Sequence, residues 1–218
     1  MLEKRLIEDI LGIAVSTGAD FAEVYCELTR NSSIRLLDGR IETISDTTVS
    51  GVGIRAFLGT RTVYGSTSDI SRKGLEKCAG AVAAAMGDEK LPKSVRLTER
   101  IFPNIHPVKI VPTDADMKIR TELLREGCSA AKEYDSRIVQ VVGGLASVDH
   151  TIQIANTEGL LTSDRHIRTR MVVDATASSG EEMQSGRFGP GRGMGLETFE
   201  LFPPKEIGIT AAKEAITN

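Results

Sequence analysis

Apolar and polar residues alternate along this chain with two different periods, and the switches between them mark its elements. In residues 1–17, Leu2, Leu6, Ile10, Ile13 and Ala14 recur at three- and four-residue spacing, while Glu3, Lys4, Glu8 and Asp9 take other faces. That spacing predicts an amphipathic helix, and Gly18 is placed to end it in the left-handed conformation. From Phe21 to Leu28 the period falls to two: Ala22, Val24, Cys26 and Leu28 point one way, Glu23 and Glu27 the other. This is the pattern of a half-buried strand. Strand-like runs at Ser32–Leu37 and Arg40–Ser45 flank Asp38-Gly39, a dipeptide that favours a hairpin because both central residues accept positive φ. Val49–Leu58 follows, with Gly51 and Gly53 inside it, and Gly59-Thr60 turns the chain into Arg61–Ser66. Asp69 or Ser71 is expected to cap a helix reaching about Met86, where AGAVAAAM supplies small packing residues.

Residues 87–113 break the pattern. Gly87 opens them and Pro92, Pro103, Pro107 and Pro112 fall inside, which predicts an extended connector, since proline removes a donor and restricts its predecessor. A second long helix is expected from Thr113 or Asp114 to about Tyr134, apolar in Met117, Ile119, Leu123, Leu124 and Ala130. Arg137–Val148 reads as a strand interrupted at Gly143-Gly144, and Thr151–Asn156 as another. After a turn at Asn156–Gly159 comes a long β-rich run, Leu160–Thr176, then a Gly- and Ser-rich stretch, Ser178–Gly195. Thr198–Phe202 reads as a short strand, and Pro203-Pro204 introduces a final helix, Lys205–Asn218. The expected fold class is α+β: two helix–antiparallel sheet–helix units with mostly antiparallel strands, because parallel sheets need a helix between successive strands. The expected boundaries are a first domain at 1–87, a Pro-rich linker at 88–113 and a second domain at 114–218.

Composition narrows the possible chemistry. A chain of 218 residues buries roughly 70% of its unfolded surface and needs no disulfide or metal for stability. The net charge is −3, aromatics are 4% and Trp is absent, which argues against nucleic acid as a partner, since that calls for a basic surface or stacking platforms. Arg165, Arg168 and Arg170 read as a solvated strand face. Cys26, Cys78 and Cys128 are odd in number and far apart, the usage of buried thiols in a reducing compartment. No apolar run approaches the ~18 residues a membrane helix needs, and the charged start MLEKRLIEDILGIA is unlike a signal peptide. A cytoplasmic protein with no membrane partner is expected.

Candidate chemistry is sparse. His106, His150 and His166 show no HExxH or other one-turn ligand spacing, although His150 and His166 are roughly symmetric about the 157–159 turn. SGRFGPGRGMG at Ser185–Gly195 lacks the Lys-Ser/Thr of a phosphate loop and the strand–turn–helix frame of a dinucleotide fingerprint. It reads as a mobile loop, with Arg187, Phe188 and Arg192 as a possible contact surface. Asp114 and Asp116 suit a helix start, and no GxSxG is present. No catalytic, cofactor-binding or metal-ligating residue is assigned.

Four segments in order, GADFAEVYCE (Gly18–Glu27), DGRIETI (Asp38–Ile44), GVGIRAFLGTRTVYGSTSD (Gly51–Asp69) and NTEGLLTSDRHIRTRMVVDA (Asn156–Ala175), precede the Gly-rich stretch. Together, over about Met1–Gly195, they resemble the amino-terminal half of the TldD/PmbA family, also known as the modulator of DNA gyrase family. The resemblance implies an amino-terminal part that packs in a dimer. It also implies a β-rich carboxyl-terminal domain that, in TldD-type members, holds zinc through a His-Glu-x-x-x-His/Asp motif. It further implies cytoplasmic cleavage of peptides and unfolded segments, including maturation of modified peptides. No position here matches the family's metal ligands, and the chain stops at Asn218, before such a half would begin.

The expectation is therefore the front half of such a metallopeptidase, truncated or encoded apart from its catalytic half. It would serve dimerisation, with itself or with another TldD/PmbA-type chain, and enclosure of a peptide substrate. It would be inactive alone, with zinc only in the missing half. The uncapped ending TAAKEAITN agrees with truncation. One alternative is a non-catalytic module that binds a peptide or partner by strand addition. Another is a small enzyme of unrelated chemistry that uses the Ser185–Gly195 loop for an anion.

Overall fold

A computed structural model describes residues 1–87 and 93–217; Pro92 of the expected connector and Asn218 of the expected last helix lie outside the described residues. The described residues form five α-helices and eight strands. In chain order these are α1 (Lys4–Ala14), β1 (Phe21–Leu37), β2 (Arg40–Leu58), β3 (Arg61–Thr67), α2 (Arg72–Met86), β4 (Thr98–Glu99) and α3 (Met117–Glu133). They continue with β5 (Ile138–Asn156), β6 (Leu160–Ser179), β7 (Glu182–Phe188), β8 (Gly191–Arg192), α4 (Thr198–Leu201) and α5 (Pro204–Thr217). The fold is α+β. Hydrogen-bonded neighbours run β3-β2-β1-β5-β6-β4, with β7 and β8 also paired to β6. β2 and β3 pair antiparallel from Val52↔Thr67 to Leu58↔Arg61, whereas the two-residue β4 pairs parallel with β6, Thr98 opposite Leu160.

Local chemistry places several of these boundaries. Asp38 (φ 47°) and Gly39 (φ 76°) form the two-residue turn that joins β1 to β2 without splaying them. The Ser71 hydroxyl accepts from the Gly74 amide at 3.2 Å and starts α2. The second long helix begins at Met117, later than the expected Thr113 or Asp114. Asp116 takes the cap by accepting from Lys118 N at 2.8 Å, and Pro112–Asp114 forms a separate 3-10 turn.

Four expectations are corrected by tertiary context. The breaks expected within β1, β2 and β5 are absent, and each runs continuously. Gly143 is a close approach inside β5: a Cβ there would lie 2.3 Å from Cys128 Sγ and 3.0 Å from Leu124 Cδ1, so its absence seats α3 on the strand. Thr198–Leu201 is helical, because consecutive amides of Thr198, Phe199 and Glu200 bond carbonyls three residues back at 3.1 Å. The 87–113 connector carries β4 and the start of the 3-10 turn. Finally, Glu182–Phe188 is a strand, β7, returning along β6 from Ser179↔Glu182 to Val173↔Phe188.

The order helix, strands, helix repeats on either side of residues 87–113, but each compact unit draws on three chain segments. Unit 1 comprises Met1–Thr29, Thr48–Asn104 and His150–Arg165; unit 2 comprises Arg30–Thr47, Ile105–Asp149 and His166–Asn218. The long strands β1, β2, β5 and β6 contribute residues to both. In unit 1, Ile7, Ile10 and Leu11 of α1 and Leu75 and Val82 of α2 are buried with Val24 and Ile54. In unit 2, Leu124 and Cys128 of α3 and Ile207 and Ala211 of α5 are buried with Ile34 and Met171.

Candidate functional site

On unit 2, β5, β6 and β8 lie where Arg168 and Arg170 have no carboxylate partner among the described residues. Period-two alternation sends Met171, Val173 and Ala175 of β6 into the core and leaves Arg168 and Arg170 on the opposite, exposed face. Along β5, Leu145 and Ser147 are buried while Ala146 is exposed and Val148 half-buried. β8 runs antiparallel beside β6, Arg170 opposite Gly191 and Thr169 opposite Arg192. Ala146, Val148, Arg168 and Arg170, with Arg192 at its edge, line an open cleft of about 390 Å³; the register puts the Arg192 side chain on the Thr169 face, over Phe202, and not beside Arg168 and Arg170.

The three residues expected to form a contact loop are placed differently from one another. Arg187 lies on β7; its guanidinium meets the Asp174 carboxylate at 3.2 Å and its amide donates to Glu214 Oε2 at 2.9 Å. Phe188 is half-buried against the unit 2 core. Arg192 lies at the edge of the cleft, with its guanidinium carbon 4.8 Å from the Phe202 ring centre and Nη1 donating to Gly191 O at 3.0 Å. The mobile-loop expectation for Ser185–Gly195 is corrected accordingly. Ser185–Phe188 is strand, Gly191–Arg192 is strand, and Gly195 is buried where a Cβ would fall 1.9 Å from Ile110 O.

What fixes the end of this stretch is Glu197, a residue that sequence reasoning did not single out. The residue is 3% exposed, and its carboxylate accepts from the amides of Lys109 (3.1 Å), Ile110 (3.0 Å) and Gly195 (3.0 Å). Burial by itself raises its pKa, but these amides and its own outweigh that and hold it below the ordinary carboxylate range. No local motif announces the clamp, since two of its donors lie 87 and 88 residues away. A second, partly exposed network joins Arg30 to the buried Asp149 (Nε–Oδ2 3.1 Å) and to the exposed Asp114 (2.7 Å), with these hydrogen bonds raising the guanidinium pKa further.

Other candidates are chemically quiet. A broad depression on unit 1 near the start of α1 is lined by charges of both signs. There Arg72 pairs with Asp9 at 2.8 Å and Glu76 at 3.3 Å. Burial pushes the thiols of Cys26 and Cys78 up and that of Cys128 up to about 11, which disfavours the thiolate a nucleophile needs. His150 Nε2 lies 3.4 Å from Glu27 Oε2, and His106 and His166 are exposed. Among the described residues no three His, Cys, Asp or Glu side chains converge as a ligand set, so these residues do not fit a zinc centre. No helix among them is long and apolar enough to cross a membrane. Chemically, the cleft offers guanidinium groups for an anion.

Comparison with known proteins supplies a context for this surface. Residues 22–85 match the family model of the PmbA/TldA metallopeptidase domain 1, and residues 110–218 match that of the PmbA/TldA metallopeptidase central domain. A metalloprotease TldD homolog of Haemophilus influenzae is 27% identical over 99% of this chain and 45% of its own length. Among solved structures, one from Thermotoga maritima, described as a modulator of a DNA gyrase, aligns with TM-score 0.79 at 20% identity, over 97% of this chain and 47% of that one. TldE from Thermococcus kodakarensis aligns with TM-score 0.69 at 17% identity, over 97% of this chain and 47% of its own. The chain thus spans about half the length of the relatives it matches.

Proposed function

The chain belongs to the PmbA/TldD metallopeptidase family, and from that premise we propose that it is the scaffold portion of a peptide-cleaving enzyme. It dimerises, with itself or with another chain of the family, and helps enclose peptides or unfolded segments. Zinc and the bond-breaking chemistry belong to a portion of the family that these residues do not cover, so the chain alone is inactive. Its place of action is the cytoplasm, in keeping with Cys26, Cys78 and Cys128 as free thiols. Maturation of modified peptides is a role of this kind. The observation that carries the reading is the coverage: a first and a central domain account for the matched residues, against 45% of the length of a metalloprotease relative. A metal-activated water and a polarised carbonyl are what a zinc peptidase requires, and the described residues offer no ligand set for them.

The test mixes the purified chain with zinc and an unstructured peptide, and follows its mass by sedimentation velocity. No cleavage and a dimer are expected. Cleavage that a chelator abolishes overturns the assignment of chemistry to another portion, and a monomer at the highest soluble concentration overturns self-association.

One observation also favours strand addition by a peptide or partner. Within unit 2, β2 from Arg40 to Thr47 has β1 on one side, while β3 pairs with β2 only from Val52 onward. Its outer edge is open among the described residues, with Ile41 and Ile44 exposed at 44% and 42%. An unblunted strand edge is a template for another chain. Ile44→Lys is expected to weaken dimerisation or peptide binding while leaving the melting midpoint nearly unchanged, within about 0.5 kcal/mol. Unchanged association in that variant removes the edge from the interface.

A further inference from the structure

We infer that the cleft on unit 2 is a subsite for a carboxylate carried by an extended peptide, an inference that rests on the peptide-handling function proposed above. Arg168 and Arg170 stand two residues apart on one strand and leave the same face. The chain carries more acidic than basic residues, 30 against 27, and several of its other exposed arginines hold a carboxylate. Arg187 holds Asp174, Arg137 holds Asp135, Arg72 holds Asp9, and Arg35 holds Glu42. The cleft arginines do not, among the described residues. Arg168 makes no hydrogen bond or ion pair, Arg170 Nε donates to Gly189 O at 3.1 Å, and Arg192 bonds a carbonyl and covers Phe202. Guanidinium groups left without an anion at one cleft are poised to take one bidentately.

The rest of the lining selects the kind of anion. Ala146 and Val148 provide an apolar floor, and the volume of about 390 Å³ suits one or two side chains. A carboxylate next to an apolar side chain satisfies both features at once. A nucleic acid would meet no exposed aromatic ring here and a net negative chain. The carboxylate has two possible sources, an acidic side chain within a peptide or a peptide's own terminus.

The experiment measures fluorescence anisotropy of labelled unstructured decapeptides with the full chain. One carries a central Leu-Glu-Leu with an amidated end, one the same with Gln for Glu, and one the Gln sequence with a free carboxyl terminus. Tightest binding of the Glu peptide assigns the side chain, and of the free-terminus peptide the chain end. In either case Arg168→Gln is expected to weaken that peptide about tenfold and leave the all-neutral peptide unchanged. Ala146→Leu, which fills the floor, is expected to weaken all three. Arg168 has no partner to lose, so its variant folds, and an unchanged melting curve verifies this. Equal affinity for charged and neutral peptides overturns the carboxylate subsite while leaving peptide handling intact, and binding of none overturns it outright. Displacement of the peptide by inorganic phosphate at lower concentration than by acetate overturns it in favour of a phosphate ligand. Cleavage of any peptide by the chain is a separate result, which sinks the scaffold function instead.

Discussion

The two compact units share a plan, helices laid on strands, yet their interiors are chemically unlike. Unit 1 buries one polar side chain among the described residues, Gln153, whose amide is satisfied by the backbone of Leu2 in both directions (3.0 and 3.3 Å). Unit 2 buries Ser32, Arg120, Thr121, Asp149, Thr169 and Glu197, among others. Arg120 donates to Ser32 and lies 3.6 Å from Asp46, and its Nε has no partner among the described residues. An apolar interior is held by a non-directional force that varies little with pH. A buried polar network is directional, and each member left unpaired costs more than its bond contributes. The cleft therefore sits on the unit whose geometry is the more tightly specified.

A large expected effect is steric and specific to unit 2. A Cβ on Gly208 of α5 would lie 1.9 Å from Gly127 O of α3. Gly208→Ala must force these helices apart, and it is expected to cost about 3 kcal/mol, the upper end of overpacking effects, read by urea unfolding. A loss under 1 kcal/mol would show that α5 can slide, which a tightly specified interior does not allow.

Next comes a pair that separates the two interiors by pH. Leu75→Ala removes a fully buried side chain from unit 1 and should cost about 2–5 kcal/mol, by the same amount at pH 7 and pH 4. Glu197→Gln disrupts the unit 2 clamp and should cost about 2 kcal/mol at pH 7, but less in acid. Because the folded-state pKa of Glu197 is depressed, its contribution is complete above its unfolded value of about 4.3. It disappears as pH falls through the folded value. The gap between the native chain and Glu197→Gln should thus close below about pH 4, whereas the Leu75→Ala gap stays open. A constant Glu197→Gln gap would mean that shape, not charge, is what the clamp supplies.

These contrasts also show what could be read beforehand. The Asp38-Gly39 turn, the Ser71 cap and the strand periodicity of β1 and β6 are local, set by backbone preference and side-chain alternation within a few residues. Arg168 and Arg170 were legible as an exposed strand face for the same reason. The cleft was not, because Ala146 and Arg192 reach it from β5 and β8. The glycines of Ser185–Gly195 resemble those of a mobile loop in composition. Their actual reasons are distant neighbours: a Cβ on Gly186 would strike Ala211 O of α5 at 2.2 Å. Arg187 looked available until β7 set it opposite Asp174. Thr198–Leu201, β-prone by residue type, is made helical by its surroundings.

The smallest expected effect tests whether the contrast stops at the helix ends. Ser71 caps α2 in unit 1 and Asp116 caps α3 in unit 2, each accepting from a backbone amide in the first turn (3.2 and 2.8 Å). Replacing either by Ala should cost about 1 kcal/mol. Asp116 adds a negative charge beside the positive end of the helix dipole, worth roughly 0.3–1 kcal/mol at low ionic strength. Asp116→Ala should then exceed Ser71→Ala by a few tenths of a kcal/mol in dilute buffer. Near 1 M salt, where the screening length falls to about 3 Å, the two should converge. Urea titrations of both variants at two salt concentrations measure this directly. Convergence confines the difference between the units to their interiors. A persistent excess for Asp116→Ala would instead tie that cap to the buried polar network beneath α3.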